Sequence, residues 1–371
     1  MKMLVVLFIL IAALIIFCGH AGLYYSWVHF FSIDGSQARK VLGIVMAILS
    51  VSFIISTVLV HWKESFLTEK LYLLSSAWLG IAWYFALATV GVWIILLIDK
   101  VLKGHFPVAG TAVVFLCIAL AYSVYGLWNA QNPRIKNITV AIKDLPSSWQ
   151  GVTAVQLSDI HLGPIHRYGF MDKVIKLTNK AKPDIVFITG DLFDGAGQKL
   201  NHLASPINDL QAQLGVYYIT GNHETYVSLN KSLAAVRETK AKLLSDKVVD
   251  VNGMQILGVN YPQVGEKKDF ATLAGLIDRT KPSIVLYHEP KVALVKLFKD
   301  AGANLMLSGH THLGQMWPFN YITHKVYQGD DYGLHTDGNF SLYTSDGVGT
   351  WGPPMRTGNH PEIVVIKFVK K

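Results

Sequence analysis

The run Asp184-Ile185-Val186-Phe187-Ile188-Thr189-Gly190-Asp191-Leu192-Phe193-Asp194 decides how the chain folds. Its apolar part is short, β-branched and aromatic, and it is bounded by Pro183 and Gly190, which reads as a strand buried on both faces. Asp191 follows directly past the strand's carboxyl end. In open α/β sheets that end is where ligands bind, so a carboxylate there is a site candidate.

Working outward, four other apolar strands end the same way. Val152–Leu157 runs into Ser158-Asp159-Ile160-His161, and Val216–Thr220 into Gly221-Asn222-His223-Glu224. Ser283–Tyr287 runs into His288-Glu289-Pro290, and Asn304–Leu307 into Ser308-Gly309-His310-Thr311-His312. Helical patterns near Phe170–Ala181, Leu200–Leu214 and Leu229–Leu244 alternate with these strands, as in an α/β layered domain. Val248–Val251 and Met254–Val259 flank Asn252-Gly253, a hairpin signal. Phe340–Thr344 and Ile363–Phe368 close the sheets, and an early strand is expected at Ile138–Ile142. The domain boundaries predicted are 1–128 for a membrane region, 129–150 for a connector and 151–371 for the catalytic domain.

The first region is of another kind. The 371-residue chain is 51% hydrophobic and 16% charged, with a mean hydropathy of +0.34, which places part of it in lipid. Uncharged runs cover Met3–Tyr25, Val41–Val60, Leu71–Ile98 and Val108–Trp128, each near the ~20 residues that cross a bilayer. Trp27, Trp62, Trp93 and Trp128 sit near run ends, as interfacial aromatics do. Three further spans follow the first run, and no small-x-small cleavage site does, so it reads as a retained helix. An even number of spans puts the N-terminus and the catalytic domain on one side. Lys2, Lys63, Lys70, Arg134, Lys136 and Lys143 lie on that side against Arg39, Lys40, Lys100 and Lys103 on the other, which favours a cytoplasmic domain. The only ionisable group within the runs is His20, so a transport pathway is disfavoured.

Composition excludes several chemistries. The two cysteines, Cys18 and Cys117, both lie in apolar runs, so the domain has no disulfide framework, Cys-based zinc site or cysteine nucleophile. The net charge of +8 is spread without a basic tract, so no nucleic-acid partner is expected; membrane lipids and phosphorylated substrates are.

At the strand ends stand Asp159, His161, Asp191, Asn222, His223, His288, His310 and His312, all carboxylate, carboxamide or imidazole. Residues i and i+2 of an extended chain point the same way, so Asp159-x-His161 and His310-x-His312 can each face one ion. His166, His202, His324, His335 and His360 read as surface or hydrogen-bonded residues.

The blocks Asp159-x-His161, Gly190-Asp191-x-x-Asp194, Gly221-Asn222-His223-Glu224, His288 and Gly309-His310-x-His312 resemble, in order, the five-block signature of the calcineurin-like metallophosphoesterases. The resemblance spans nearly all of 150–371. It implies a two-sheet sandwich flanked by helices, so the fold expected is a four-helix transmembrane bundle plus an α/β (α+β) sandwich. It also implies two divalent metal ions, one held by Asp159, His161, Asp191 and His312, the other by Asp191, Asn222, His288 and His310. Asp194 would support from behind, and His223 would be catalytic rather than a ligand. Such mixed donors suit Mn, Fe or Zn. The implied reaction is attack of a metal-bridging hydroxide on a phosphate ester or pyrophosphate. Asp191 must then be a carboxylate, since it shares two cations. His223 would donate to the leaving oxygen, or would merely position Asn222.

Gly221–Tyr226, Gly309–Phe319 and Gly347–Arg356 further resemble the membrane-associated YkuE-like branch, which is similar in architecture to UDP-2,3-diacylglucosamine pyrophosphatase-type enzymes. Leu313 and Asp346 depart from that branch, where glycine and a basic residue are usual. Arg356 is the candidate for phosphate binding, the alternative being that it ties down the glycine-rich tail. Trp351 either contacts substrate or packs. The substrate expected is lipid-linked or a nucleotide-sugar-lipid. The alternatives are a soluble phosphoester with the helices as anchor, or a non-catalytic metal-binding membrane sensor.

Overall fold

The computed structural model describes residues 2–195 and 197–371; the side chains of residues 2–6, 8 and 9 lie outside the description, Lys2 of the charge balance and part of the Met3–Tyr25 run among them. The chain divides into two compact units, Met1–Trp128 with Gly352–Met355, and Asn129–Trp351 with Arg356–Lys371.

The first unit carries four helices long and apolar enough to cross a membrane: α1 (Lys2–Phe30), α2 (Ser36–Trp62), α3 (Phe66–Leu102) and α4 (Val108–Ala130). Each outruns its apolar stretch because polar flanks continue the helix, as Ser36 to Lys40 do in α2. The start of α3 is fixed by Ser65, whose hydroxyl accepts from Thr68 N while Thr68 Oγ1 accepts from Ser65 N. The usual burial pattern is inverted, with Leu14, Ile48, Leu74 and Ile118 all largely exposed. Polar side chains instead pair between helices. Trp78 Nε1 donates to His20 Nε2 and Trp93 Nε1 to Ser26 Oγ, both at 2.9 Å, and Ser56 and Ser75 share a hydrogen bond. In an apolar medium such bonds satisfy groups that water cannot reach. His20 is therefore a packing histidine, with its Nδ1 on the carbonyl of Ile16.

The second unit contains twelve strands among the described residues: β1 (Arg134–Ile142), β2 (Thr153–Leu157), β3 (Ile185–Thr189), β4 (Gly215–Ile219), β5 (Ala241–Leu243), β6 (Lys247–Val251), β7 (Met254–Val259), β8 (Ser283–Tyr287), β9 (Leu305–Ser308), β10 (Gly333–Asp337), β11 (Phe340–Thr344) and β12 (Glu362–Lys370). Its helices are α5 (Tyr168–Lys180), α6 (Leu200–Ala204), α7 (Asn222–Val227), α8 (Leu229–Arg237), α9 (Phe270–Ala274), α10 (Val292–Ala301) and α11 (Asn320–Val326). Six strands form one sheet in the order β1-β12-β2-β3-β4-β5, and six form the other in the order β10-β11-β9-β8-β7-β6. The expected two-sheet sandwich is present.

Alternation along each central strand builds the layers. Ile185 and Phe187 of β3 face Ile284 and Leu286 of β8 in the core between the sheets. Val186 and Ile188 face outward into the core under α5, α6 and α8. Val285 and Tyr287 of β8 face outward with Phe298 of α10. Strands buried on both faces explain the unbroken apolar runs.

Three expectations change. The helix foreseen at Leu200–Leu214 stops at Ala204 and continues as a 3₁₀ turn over Ser205–Asp209, where Pro206 removes a donor. The stretch Leu229–Leu244 is helical only to Arg237; its tail becomes edge strand β5, which pairs with β4. The early strand expected at Ile138–Ile142 begins sooner, as the nine-residue β1 (Arg134–Ile142), parallel to β12 and in register from Arg134↔Glu362 to Ile142↔Lys370.

β2, β3 and β4 are mutually parallel, as are β7, β8, β9 and β11. Their carboxyl ends are joined across the two sheets. His288 Nδ1 lies 2.8 Å from Thr189 O, and Gln156 Nε2 donates to Ser308 O and to Thr189 Oγ1.

Candidate metal centre

Each candidate side chain stands just past a strand. Asp159 and His161 follow β2, Asp191 and Asp194 follow β3, and Asn222 and His223 open α7 after β4. His288 follows β8, and His310 and His312 follow β9. Asp159, His161, Asp191, His310 and His312 all adopt left-handed backbone angles, with φ between 49° and 73°. Non-glycine residues take that conformation at a cost, which is a mark of functional sites. The loops also approach closely: a Cβ at Gly309 would overlap Ser158 Oγ and Asp159 Oδ2, and one at Gly221 would overlap Asp191 Oδ1.

The side chains gather into two groups. In the first, His161 Nε2 lies 3.0 Å from His312 Nε2, and His312 Nε2 lies 3.4 Å from Asp159 Oδ1. In the second, His310 Nδ1 lies 2.7 Å from Asn222 Oδ1 and 3.3 Å from His288 Nε2. Asp191 reaches both, with Oδ2 3.1 Å from His288 Nε2 and 3.9 Å from His161 Nε2. Asp159, His161 and His312 offer ligand atoms mutually close enough for one ion, as do Asp191, His288 and His310. A third such grouping joins His161 to Asp194 and His223.

These groups are buried, and burial sets their charge. Burial, with the like charge of His223, pulls His161 down to about 3. Burial and His288 pull His310 down to about 4, and burial with Arg356 takes His312 well below the ordinary range. Three imidazoles are thus neutral, the state in which histidine binds a cation. Burial pushes Asp159 up, and the nearby charge of Asp191 adds to it. Burial would also raise Asp191, but His288 and His223 outweigh it and hold that carboxylate well below its ordinary value. For His288, burial is outweighed by Asp191 and Asp159, which hold it up at about 10. The His288 contact to Thr189 O employs Nδ1 and leaves Nε2 facing the site, as in metal-ligating histidines. Mixed nitrogen and oxygen donors in these groupings suit divalent cations.

His223 stands beside both groups with its side chain 15% exposed. Its Nδ1 lies 3.2 Å from Asp194 Oδ1, and its backbone N–H donates to Asp191 Oδ1 at 2.8 Å. Burial would lower its pKa, but Asp191 and the Asp194 hydrogen bond raise it to about 9. Asp194 is itself half-buried behind this contact, its side chain 20% exposed.

Arg356 stands against the glycine-rich loop. Its side chain is fully buried, and it donates to Gly349 O at 2.5 Å and Gly347 O at 3.3 Å; its Nη2 lies 2.9 Å from His312 Nδ1. Its Nε and Nη2 are engaged by the loop carbonyls, as the alternative of tying down the glycine-rich tail requires. Asp346, one of the two departures from the YkuE-like pattern, is buried too, 4.0 Å from the Arg356 guanidinium.

The sequence reading gave Glu224 no role. It is fully buried, and its carboxylate accepts N–H groups of Gly221 at 2.6 Å, Leu192 at 2.8 Å, and Asp191 and Phe193 at 3.1 Å. It staples the loop after β3 to the loop after β4. The legible signal was a glutamate three residues after Gly221, the spacing of a helix-capping box. Burial and the charge of Asp191 push its carboxyl up to about 7. His166, expected to be a surface or hydrogen-bonded residue, is buried and hydrogen-bonded: its Nε2 accepts from Thr350 N at 2.9 Å.

Comparison with known proteins gives the family. Residues 152–314 match the family model described as calcineurin-like phosphoesterase. The chain is 34% identical over 264 residues to an uncharacterized metallophosphoesterase of Campylobacter jejuni, covering 69% of each chain. It is 32% identical to the uncharacterized metallophosphoesterase YkuE of Bacillus subtilis, covering 61% of this chain and 82% of that one. A bovine transmembrane protein with metallophosphoesterase domain is 32% identical, over 66% of this chain and 60% of its own length.

Proposed function

The chain belongs to the calcineurin-like phosphoesterase family, a metal-dependent phosphoester hydrolase on a membrane protein, and from that premise we propose that it hydrolyses a lipid-linked phosphate ester or pyrophosphate at a two-metal site. The observation that carries the site is Asp191, whose Oδ2 lies 3.1 Å from His288 Nε2 of one ligand group and 3.9 Å from His161 Nε2 of the other. One ion would be held by Asp159, His161, Asp191 and His312, the other by Asp191, Asn222, His288 and His310. When bound, the ions supply Lewis acidity toward phosphoryl oxygens and acidify water.

The chain's own groups do the rest. Asp159 and Asp191 supply the negative charge that two cations require. Asn222 offers a neutral oxygen, anchored by its contact with His310. His223 keeps a proton, because Asp191 and Asp194 face it, and delivers that proton to the departing oxygen. Asp194 holds the ring at Nδ1, which leaves Nε2 for the substrate. Glu224 fixes the two loops against each other, so the donors are set before substrate arrives.

Lipid linkage is supported by the four apolar helices, which would keep the domain at a surface where amphiphilic esters are concentrated. The test compares Mn-loaded full-length protein on a UDP-activated diacylglucosamine lipid and on bis(p-nitrophenyl) phosphate. Much faster turnover of the lipid is expected. Turnover of the generic diester alone would keep the reaction and remove the lipid, leaving the helices as an anchor. The balance of basic residues between loops favours a cytoplasmic domain. Green fluorescent protein fused after Lys371 should then fluoresce, and a dark fusion that is active as a periplasmic phosphatase chimera would reverse the orientation.

A further inference from the structure

The loop Gly347–Trp351 is held residue by residue. Val348 N donates to Ser158 O at 2.9 Å, and Gly349 N to Asp159 O at 2.8 Å. Thr350 N donates to His166 Nε2. At Trp351 the Gln315 side chain grips the backbone twice: Oε1 accepts from Trp351 N at 3.2 Å, and Nε2 donates to Trp351 O at 3.1 Å. Val348 and Thr350 are buried. The Trp351 side chain, at the end of this fixed backbone, is 53% exposed.

That combination is unusual. A tryptophan that served packing would bury its ring, the largest apolar surface a residue has. Here the backbone is immobilised and the ring is left half exposed. Its centroid lies 6.2 Å from that of His223, at an interplanar angle of 60°. On the same histidine, one turn along α7, stands Tyr226, 65% exposed, with its ring 5.4 Å away at 61°. Two exposed aromatic side chains therefore flank the imidazole of His223.

We propose that Trp351 and Tyr226 form a subsite for the leaving group, and that the alcohol part of the substrate carries a flat or apolar face next to the bridging oxygen. The proposal rests on the reading of His223 as donor to that oxygen. It adds what that reading leaves open: the chemical class of the group that departs. A small hydrophilic alcohol would leave both rings wet. A planar or hydrophobic one would cover them, and stacking on preorganised rings costs little conformational entropy.

The test reads binding, so it does not depend on turnover. Metal-reconstituted full-length protein is titrated calorimetrically with phenylphosphonate and with methylphosphonate, whose carbon substituent takes the place of the leaving group. The wild type should bind the phenyl compound about tenfold more tightly. Trp351→Ala should bring the two affinities within twofold, Tyr226→Ala should reduce the difference, and Trp351→Phe should keep most of it. A phenyl preference that persists in Trp351→Ala, or equal affinities in the wild type, would overturn the subsite. A preference that behaves as expected in protein that hydrolyses no ester would keep the subsite and sink the proposed reaction alone.

Discussion

Asp191→Asn is expected to lower phosphoester hydrolysis by ~10³-fold or more and to reduce bound metal from two ions per chain. The substitution is nearly isosteric, and asparagine tolerates the left-handed backbone that Asp191 adopts at φ 50°. The loop should therefore keep its shape, including the bonds from its N–H groups to Glu224. What changes is charge and the second acceptor oxygen. Asp191 Oδ1 already accepts from His223 N, and Oδ2 faces His288 and His161. An amide can present one oxygen to one ion, but it cannot present two anionic oxygens to two. Two buried imidazole groups would then face a doubly charged cation pair with one carboxylate fewer. Metal content by mass spectrometry and activity on bis(p-nitrophenyl) phosphate decide the matter. A variant that retains two ions and near-normal turnover would remove Asp191 from the bridging position.

His223→Ala should separate holding metal from using it. The ring lies beside the two proposed ligand groups, bonded to Asp194 through Nδ1. Its loss should leave both ions in place and cost roughly 10²–10⁴-fold in turnover, the range for removing a proton donor. The defect should shrink for esters whose leaving alcohol is acidic, since these need no proton. Depletion of one ion would instead identify the His161, Asp194 and His223 grouping as a ligand set, and His223 as its structural member.

Much of this arrangement was legible in the chain. β8 and β11 begin and end where their apolar runs do, and the hairpin of β6 and β7 turns at Asn252-Gly253, both with positive φ. Those signals are local: period, turn chemistry and length. The five polar clusters were equally plain, because each follows a strand end. What was illegible depends on neighbours distant in sequence. β10, Gly-Leu-His-Thr-Asp, is an exposed edge with little apolar alternation to announce it. β5 reads as a helical tail until β4 offers a partner. For Arg356 nothing near it in sequence shows that Gly347, Gly349 and His312 surround it. Glu224 looked like one more motif letter, since its four donors come from two separate loops.

The position of β12 has a consequence for how the protein is made. This strand, Glu362–Lys370, lies between β1 and β2, although more than two hundred residues separate it from either in the chain. While the ribosome is still translating the intervening segment, β1, which follows the four apolar helices in the chain, has emerged with its sheet partner not yet synthesised. Closure of the first sheet waits for the final strand to leave the exit tunnel. Such late, long-range pairing is slow and leaves an unpaired edge exposed in the interim. A nascent chain stalled before residue 362 should therefore be held at the membrane with helices inserted and its catalytic domain still open, the stage at which a chaperone would have most to do.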